Sequence, residues 1–333
     1  MRIAFFDTHS FDKEAFVAAN GRYGFDITFF ETRLTAATAK LAAGFEVVCP
    51  FVNDQLDAAA LLVLHAGGVK LIALRSAGYN HVDLEAAAKT PLTVVRVPEY
   101  SPYAVAEHAV ALLLALIRNL HRAANRVREA NFSLDGLVGF DLHGKTVGVI
   151  GTGRIGTVMA TIMRGFDCRL LAFDLQRNQR LIDDLQLRYV DLPELYREAD
   201  VISLHVPLTP KTRHLIDARA MQSMKRGVVI INTGRGALVD TPALVEALKQ
   251  EHVGGAALDV YEEEEGLFFR DLSDQVLQDD VLARLLTFPN VLVTAHQGFL
   301  TREALANIAE TTLANVRSFE RGEPLVNQVV PTR

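Results

Sequence analysis

Between Lys145 and Ala295 short apolar runs alternate with stretches of helical period. The runs are "KTVGVI", "RLLAFD", "DVISLHV", "GVVIIN", "GGAALDV" and "NVLVTA". Their near-continuous apolar character predicts strands buried on both faces, and the helical gaps predict βαβ units in one parallel sheet. The clearest helix signal is "DTPALVEALKQ", with Thr241 as the cap and Pro242 in the first turn. A weaker set, "RIAFFD", "FDITFFE", "FEVVCPFV", "KLIALR" and "LTVVRV", precedes residue 98 and predicts a smaller α/β unit. One helix is expected from about Ala104 to Arg128; its most apolar part, "AVALLLALI", is about half the length that spans a bilayer. After His296, "TREALANIAETTLANVRSFERG" reads as one amphipathic helix capped by Thr301. Because it comes after the last strand of the large sheet, it is expected to return to the first unit, leaving the middle of the chain as an insertion.

Composition narrows the class. At 333 residues the chain exceeds the size at which one core keeps growing, so two domains are expected. A net charge of −6 with scattered basic residues predicts no nucleic-acid partner, since no basic face is concentrated. "MRIAFFDTHS" lacks the apolar length of a secretory signal and reads as a first strand. Neither this stretch nor the later apolar run predicts a membrane partner. The two cysteines, Cys49 and Cys168, show no metal-ligand spacing. They are expected to be inert packing residues of a cytoplasmic protein.

Residues at the carboxyl end of each strand carry the chemistry. The first run leads into Gly151-Thr152-Gly153-Arg154-Ile155-Gly156 and then a helical stretch, and the second ends in Asp174, 18 residues past Gly156. In that context Gly151 permits the tight turn, Gly153 lets backbone approach a pyrophosphate, and Gly156 allows close helix packing. A dinucleotide site is expected there, with Asp174 accepting hydrogen bonds from ribose hydroxyls and repelling a 2′-phosphate, hence NAD(H) rather than NADP(H). Later strands run into "HVPLTP", "TGRG", "YEEEE" and "HQGF". Carboxyl ends of strands line the ligand crevice of an open parallel sheet. Val206, Pro207, Thr233, Gly234 and Asp259 are accordingly expected beside the cofactor.

Three further residues stand at strand ends. Arg235 lies between two glycines, and its planar guanidinium suits bidentate binding of a carboxylate and polarisation of an adjacent carbonyl. His296 precedes a Gln-Gly pair, and histidine exchanges protons near neutral pH. Taken alone, each also reads as an ordinary surface or structural group. The acidic run Glu262 to Glu265 offers a partner for His296, its other members reading as a solvated rim.

The combination of "GTGRIG", "INTGRGALVD", "LDVYEEEEGLFF" and "TAHQGFLTREAL", with "LRSAGYNHVDL" and "VPEYSPYAVAEHAV" earlier, resembles the D-isomer-specific 2-hydroxyacid dehydrogenases. Among them the bacterial fermentative D-lactate dehydrogenases are the members it most resembles. The resemblance implies an α/β fold of two Rossmann-like or flavodoxin-like domains with doubly wound parallel sheets. A substrate domain of residues 1–99 and 299–333 would enclose an NAD-binding domain of residues 100–298, with a dimerisation helix near 104–128. It implies catalysis by Arg235, Glu264 and His296 without a metal, Glu264 being the carboxylate paired with His296. It further implies substrate contacts from Gly78, Tyr79, Tyr100, Phe299 and Phe51. The expected reaction is reversible hydride transfer from NADH to pyruvate, with domain closure expelling water; hydroxypyruvate, glyoxylate or a branched 2-oxo acid are alternative substrates. A nucleotide-sensing corepressor-like role is a remote alternative. The expected assembly is a homodimer, or a homotetramer. Gly298 departs from the alanine expected in many relatives, which bears on pocket shape.

Overall fold

Each apolar run of the first hundred residues forms a strand: β1 (Arg2–Phe5), β2 (Asp26–Phe29), β3 (Val47–Cys49), β4 (Leu71–Ala73) and β5 (Thr93–Val95). All pair parallel in the order β2-β1-β3-β4-β5. Alternation along the strands fills both faces. Ile3, Phe5, Val47 and Cys49 pack beneath the helices Ser10–Asn20 and Arg302–Glu320, which contribute Phe16, Ala19, Ile308, Leu313 and Val316. Ala4, Phe6 and Val48 pack on the other face with Leu61 and Leu64 of the helix Ala58–Ala66. Thr301 caps the long C-terminal helix by accepting from the Ala304 amide at 3.2 Å, and the chain beyond it bridges antiparallel to β5 through Gln328 and Val95.

The computed structural model describes residues 1–264 and 266–331. Two compact units emerge, Met1–Ser101 with the chain from Phe299 onward, and Pro102–Gly298. In the second, the expected strands are β6 (Thr146–Ile150), β7 (Arg169–Phe173), β9 (Val201–Leu204), β10 (Val228–Asn232), β11 (Val253–Leu258) and β12 (Val291–Val293). A two-residue edge strand, β8 (Arg188–Tyr189), is added; it is too short for an apolar run to announce it. The order β12-β11-β10-β9-β6-β7-β8 is parallel throughout and reverses direction between β6 and β9. Val147, Val149, Val229 and Ile231 face the helices Pro102–Ile117 and Arg154–Gly165, whereas Ile150, Val228 and Ile230 face helices that include Leu192–Glu198 and Thr241–Lys249.

Two local expectations are corrected. The single helix from Ala104 to Arg128 is two, Pro102–Ile117 and Leu120–Arg128, bent by 62°. Asn119 takes a left-handed φ of 51° at the break, where sequence character changes from apolar to basic. Asparagine tolerates that conformation better than most residues. The cap of the helix Thr241–Lys249 is Asp240, which accepts from the Ala243 amide at 3.0 Å, and Thr241 is the first helical residue. Cys49 and Cys168 are buried free thiols. Among the described residues no single helix is long and apolar enough to cross a membrane.

Arg75, just past β4, is the most heavily bonded buried charge of the first unit. Its side chain is 1% exposed. It donates to Phe6 O, Asp7 O and Cys49 O at 2.8–3.1 Å and to Asp12 Oδ2 at 3.2 Å. Its guanidinium also lies 4.1 Å from the Phe5 ring centre and 4.7 Å from that of Phe51. One cation therefore ties the carboxyl ends of β1 and β3 to that of β4. Burial pushes the Asp12 carboxyl up and Arg75 pulls it back. Removing one partner of a buried pair leaves the other uncompensated, so Arg75→Met should cost about 3–5 kcal/mol in denaturant titrations. Adding Asp12→Leu should recover part of that loss; a double variant no more stable than the single would refute the pairing.

Candidate active site

The turn after β6 is built for close approach. Gly151 has a φ of 95°, which favours glycine, and a Cβ on Gly156 would sit 1.9 Å from Gly151 O. The helix Arg154–Gly165 therefore starts hard against the strand end. Among the described residues no side chain caps that helix at Gly153, and a Cβ there would meet nothing within 4 Å. Uncapped N-terminal amides beside open space suit a phosphate group. Gly151 also abuts the loop after β9, because its Cβ would lie 2.6 Å from His205 O and 2.8 Å from Val206 Cγ1. The glycine turn and the Val206-Pro207 stretch thus meet at the point where strand order reverses, the expected crevice of a doubly wound sheet.

Asp174 closes the next strand end. Its Oδ2 accepts from Thr152 N at 2.6 Å and Thr152 Oγ1 at 3.1 Å, and Oδ1 accepts from Gln176 N at 2.9 Å. Burial raises its pKa, but the N–H donors of Gln176 and Thr152 outweigh burial and hold the carboxyl below its ordinary range. An ionised carboxylate with spare acceptor capacity results. Thr233, after β10, is 7% exposed, and its Oγ1 has no hydrogen-bond partner among the described residues. Buried hydroxyls are rarely left unpaired. The cradle, the anionic Asp174 and the orphaned Thr233 hydroxyl together suit a dinucleotide.

Arg235, Glu264 and His296 leave the adjacent strands β10, β11 and β12, whose ends are in register through Asn232, Leu258 and Val293. His296 Nδ1 lies 3.0 Å from Glu264 Oε1, and each side chain is about one-fifth exposed. Glu264 Oε2 accepts from Tyr261 N at 3.3 Å, and Phe269 stands 6.0 Å from the imidazole. Arg235 is half-buried and donates to Gly234 O at 2.7 Å. It pairs with no carboxylate among the described residues. Asn232 fixes this turn, donating to Arg235 O and accepting from Gly234 N. Gly236 rests on the acidic loop, where a Cβ would meet Tyr261 C at 2.0 Å. Backbone contact thus joins the Arg235 turn to the loop that carries Glu264.

Asp259 and Glu262 hold these loops. Asp259, 1% exposed, accepts from Thr294 Oγ1, Gln297 N and Gly298 N, and His296 N donates to its carbonyl. Glu262 corrects the expectation of a solvated rim. Its Oε1 accepts from His214 Nε2 at 2.7 Å and Arg213 Nη2 at 2.9 Å. Glu263 is exposed, and Glu265 lies outside the described residues.

In the first unit Phe51, Tyr100 and Phe299 belong to one row of rings. Phe51 contacts His9 at 4.9 Å, His9 stacks on Phe11 at 5.2 Å, Phe11 meets Phe299 at 6.0 Å and Phe299 meets Tyr100 at 6.5 Å. His9 and Phe11 are not signalled by any motif, although "DTHSF" stands just past the end of β1 and fits the same strand-end logic. Gly78 O accepts from Ser76 Oγ, and Tyr79 lies under Arg96, whose Nη1 holds Ala77 O. The glycine-tyrosine turn is thereby pinned on both flanks.

Comparison with known proteins shows the family. A family profile, D-isomer specific 2-hydroxyacid dehydrogenase, NAD binding domain, matches residues 110–298. The D-lactate dehydrogenase of Escherichia coli (strain K12) is 52% identical over 99% of this chain and 100% of its own. A solved Salmonella D-lactate dehydrogenase is 52% identical with a TM-score of 0.88, covering 99% of this chain and 100% of that one. The solved pyruvate reductase of Chlamydomonas reinhardtii is 44% identical with a TM-score of 0.93 over 98% of each. The chain therefore belongs to the D-isomer specific 2-hydroxyacid dehydrogenases, a family of NAD-dependent enzymes.

Proposed function

We propose that this protein reversibly reduces pyruvate to D-lactate. The observation that carries the reading is the His296–Glu264 pair at 3.0 Å, beside a strand end bearing the carboxylate-free Arg235. The pair engages Nδ1 and leaves Nε2 with no partner among the described residues. A 2-oxo acid needs a cation for its carboxylate and a proton for the oxygen that becomes an alkoxide. Arg235 meets the first need and polarises the C2 carbonyl. His296 meets the second, donating the Nε2 proton while Glu264 fixes the tautomer and stabilises the imidazolium. NAD(H), when bound, carries the hydride. Gly151, Gly153, Arg154, Ile155, Gly156, Asp174, Val206, Pro207, Thr233, Gly234 and Asp259 are proposed to hold it. Gly78, Tyr79 and Tyr100 are proposed to bind substrate, with Phe51 and Phe299 restricting its side chain.

Support for pyruvate comes from the relatives' names, in which lactate and pyruvate stand at opposite ends of one reaction. We also infer a homodimer in the cytoplasm. The helix Leu120–Arg128 buries none of its residues, and Leu120, Val127, Phe132, Leu134 and Val138 are more than half exposed. Apolar side chains left this exposed favour cover by a second copy.

NADH oxidation with a panel of 2-oxo acids tests the substrate. Pyruvate should be turned over with the highest kcat/KM; a higher value for hydroxypyruvate, glyoxylate or a branched acid would reassign the substrate, and inertness toward all would end the reading. Roles separate by substitution. His296→Ala should lower kcat about 10²- to 10⁴-fold with NADH binding retained, whereas Arg235→Ala should chiefly raise KM for the 2-oxo acid. Near-normal turnover by His296→Ala removes it as the acid. For the cofactor, NADH should exceed NADPH in kcat/KM, and Asp174→Ala should shrink that ratio on the order of tenfold, as expected for loss of a charged hydrogen-bond acceptor. Equal wild-type use of both would refute the Asp174 role.

A further inference from the structure

His108, on the helix Pro102–Ile117, takes no part in the hydride or proton transfer proposed for this site. Its side chain is 17% exposed, and its Nε2 lies 3.1 Å from both Asp259 Oδ1 and Thr294 Oγ1. Thr294 gives its single hydroxyl proton to Asp259 Oδ1 at 2.5 Å, so toward His108 it can only accept. An ionised carboxylate also only accepts. Both contacts therefore require a proton on His108 Nε2, which makes the imidazole a donor shared between the two oxygens.

Asp259 in turn organises the turn that bears His296. Its Oδ1 accepts from Gln297 N and its Oδ2 from Gly298 N, each at 2.8 Å. The Asp259 carbonyl takes His296 N at 2.7 Å. His296 itself has a φ of 54°. A histidine held in the left-handed region persists where its surroundings enforce it. The amides on its carboxyl side are enforced by one carboxylate, and Oδ1 of that carboxylate is also held by His108 and Thr294. Gly298 allows this approach, since a Cβ would sit 2.9 Å from Asp259 Oδ2 and 3.5 Å from His108 Cδ2.

The geometry points to His108 as a positioning residue for the proton-transfer step: through Asp259 it sets the backbone turn that aims His296. The inference rests on the role proposed for His296 as the acid. It assigns His108 no contact with substrate. Because a misplacement near 1 Å can cost about 10²-fold in rate, the effect should be large for a residue remote from the reacting atoms.

The test uses the full-length enzyme with His108→Leu and His108→Gln. Leucine removes the donor; the glutamine amide nitrogen stands close to where Nε2 was. His108→Leu should lower kcat for 2-oxo acid reduction about 10- to 100-fold, a larger factor than any rise in KM for NADH. The ¹⁵N resonances of the His296 imidazole should shift as its hydrogen bond to Glu264 is disturbed. His108→Gln should restore much of both. Three outcomes overturn the proposal: unchanged kcat in His108→Leu, a loss confined to KM for NADH, or a lowered Tm with normal kcat per folded molecule. If the wild type reduces no 2-oxo acid, the proposed function fails by itself, and the His296 resonances in the two variants still decide whether His108 sets that turn.

Discussion

A parallel sheet covered by helices on both faces has no room for unpaired polar groups except at its ends. That constraint governs both units. Val147, Val149, Ile150, Ile230 and Ile231 are fully buried on the two faces of the larger sheet, so the chain's chemistry is displaced to the loops beyond them. Carboxyl ends gather those loops at one edge. Segments as distant as Gly151, Arg235 and His296 come to stand at carboxyl ends of strands of one sheet without any of them needing to be near in sequence.

In each unit a buried ion makes those loops rigid. Arg75 in the smaller unit and Asp259 in the larger carry opposite charges and do related work. Arg75 gathers backbone carbonyls left after β1 and β3. Asp259 gathers backbone amides in the turn after β12. Loops supply both kinds of group because strand pairing has stopped, and one buried charge of the right sign satisfies several at once. Desolvation makes such an ion costly unless it is well bonded; Arg75 donates four hydrogen bonds and Asp259 accepts four. Burial acts to raise the Asp259 pKa, yet hydrogen bonds led by His108 and Thr294 bring it below the ordinary aspartate value.

The sheets were legible because their signal is local. Runs such as "GVVIIN" must be apolar on both sides to be buried on both sides, and each became a strand. The dyad was legible only in outline. Residue types at strand ends named His296 and an acidic partner, while choosing Glu264 among its neighbours needed family resemblance. The hidden features depend on geometry that no short pattern encodes. His108 sits on a helix at a position that reads as one more half-buried residue, and its target lies 151 residues away. The break at Asn119 is similar, since residues on either side favour helix and only the left-handed backbone separates them.

The acidic run shows how such loops prepare a side chain for reaction. Glu262 is gripped by Arg213 and His214 from the loop after β9, and Glu264 by His296 from the loop after β12. Two carboxylates only two residues apart thus anchor one loop to two others. Glutamate loses appreciable rotamer freedom when fixed, of the order of 1.5–2 kcal/mol per side chain. Here that ordering accompanies folding, so the Glu264 carboxylate already stands against the imidazole before substrate arrives. Preorganisation of this kind lowers a barrier because little reorientation is left for the reaction itself. An acidic stretch that composition alone would assign to solvent is instead where the loops of three strands are fastened together.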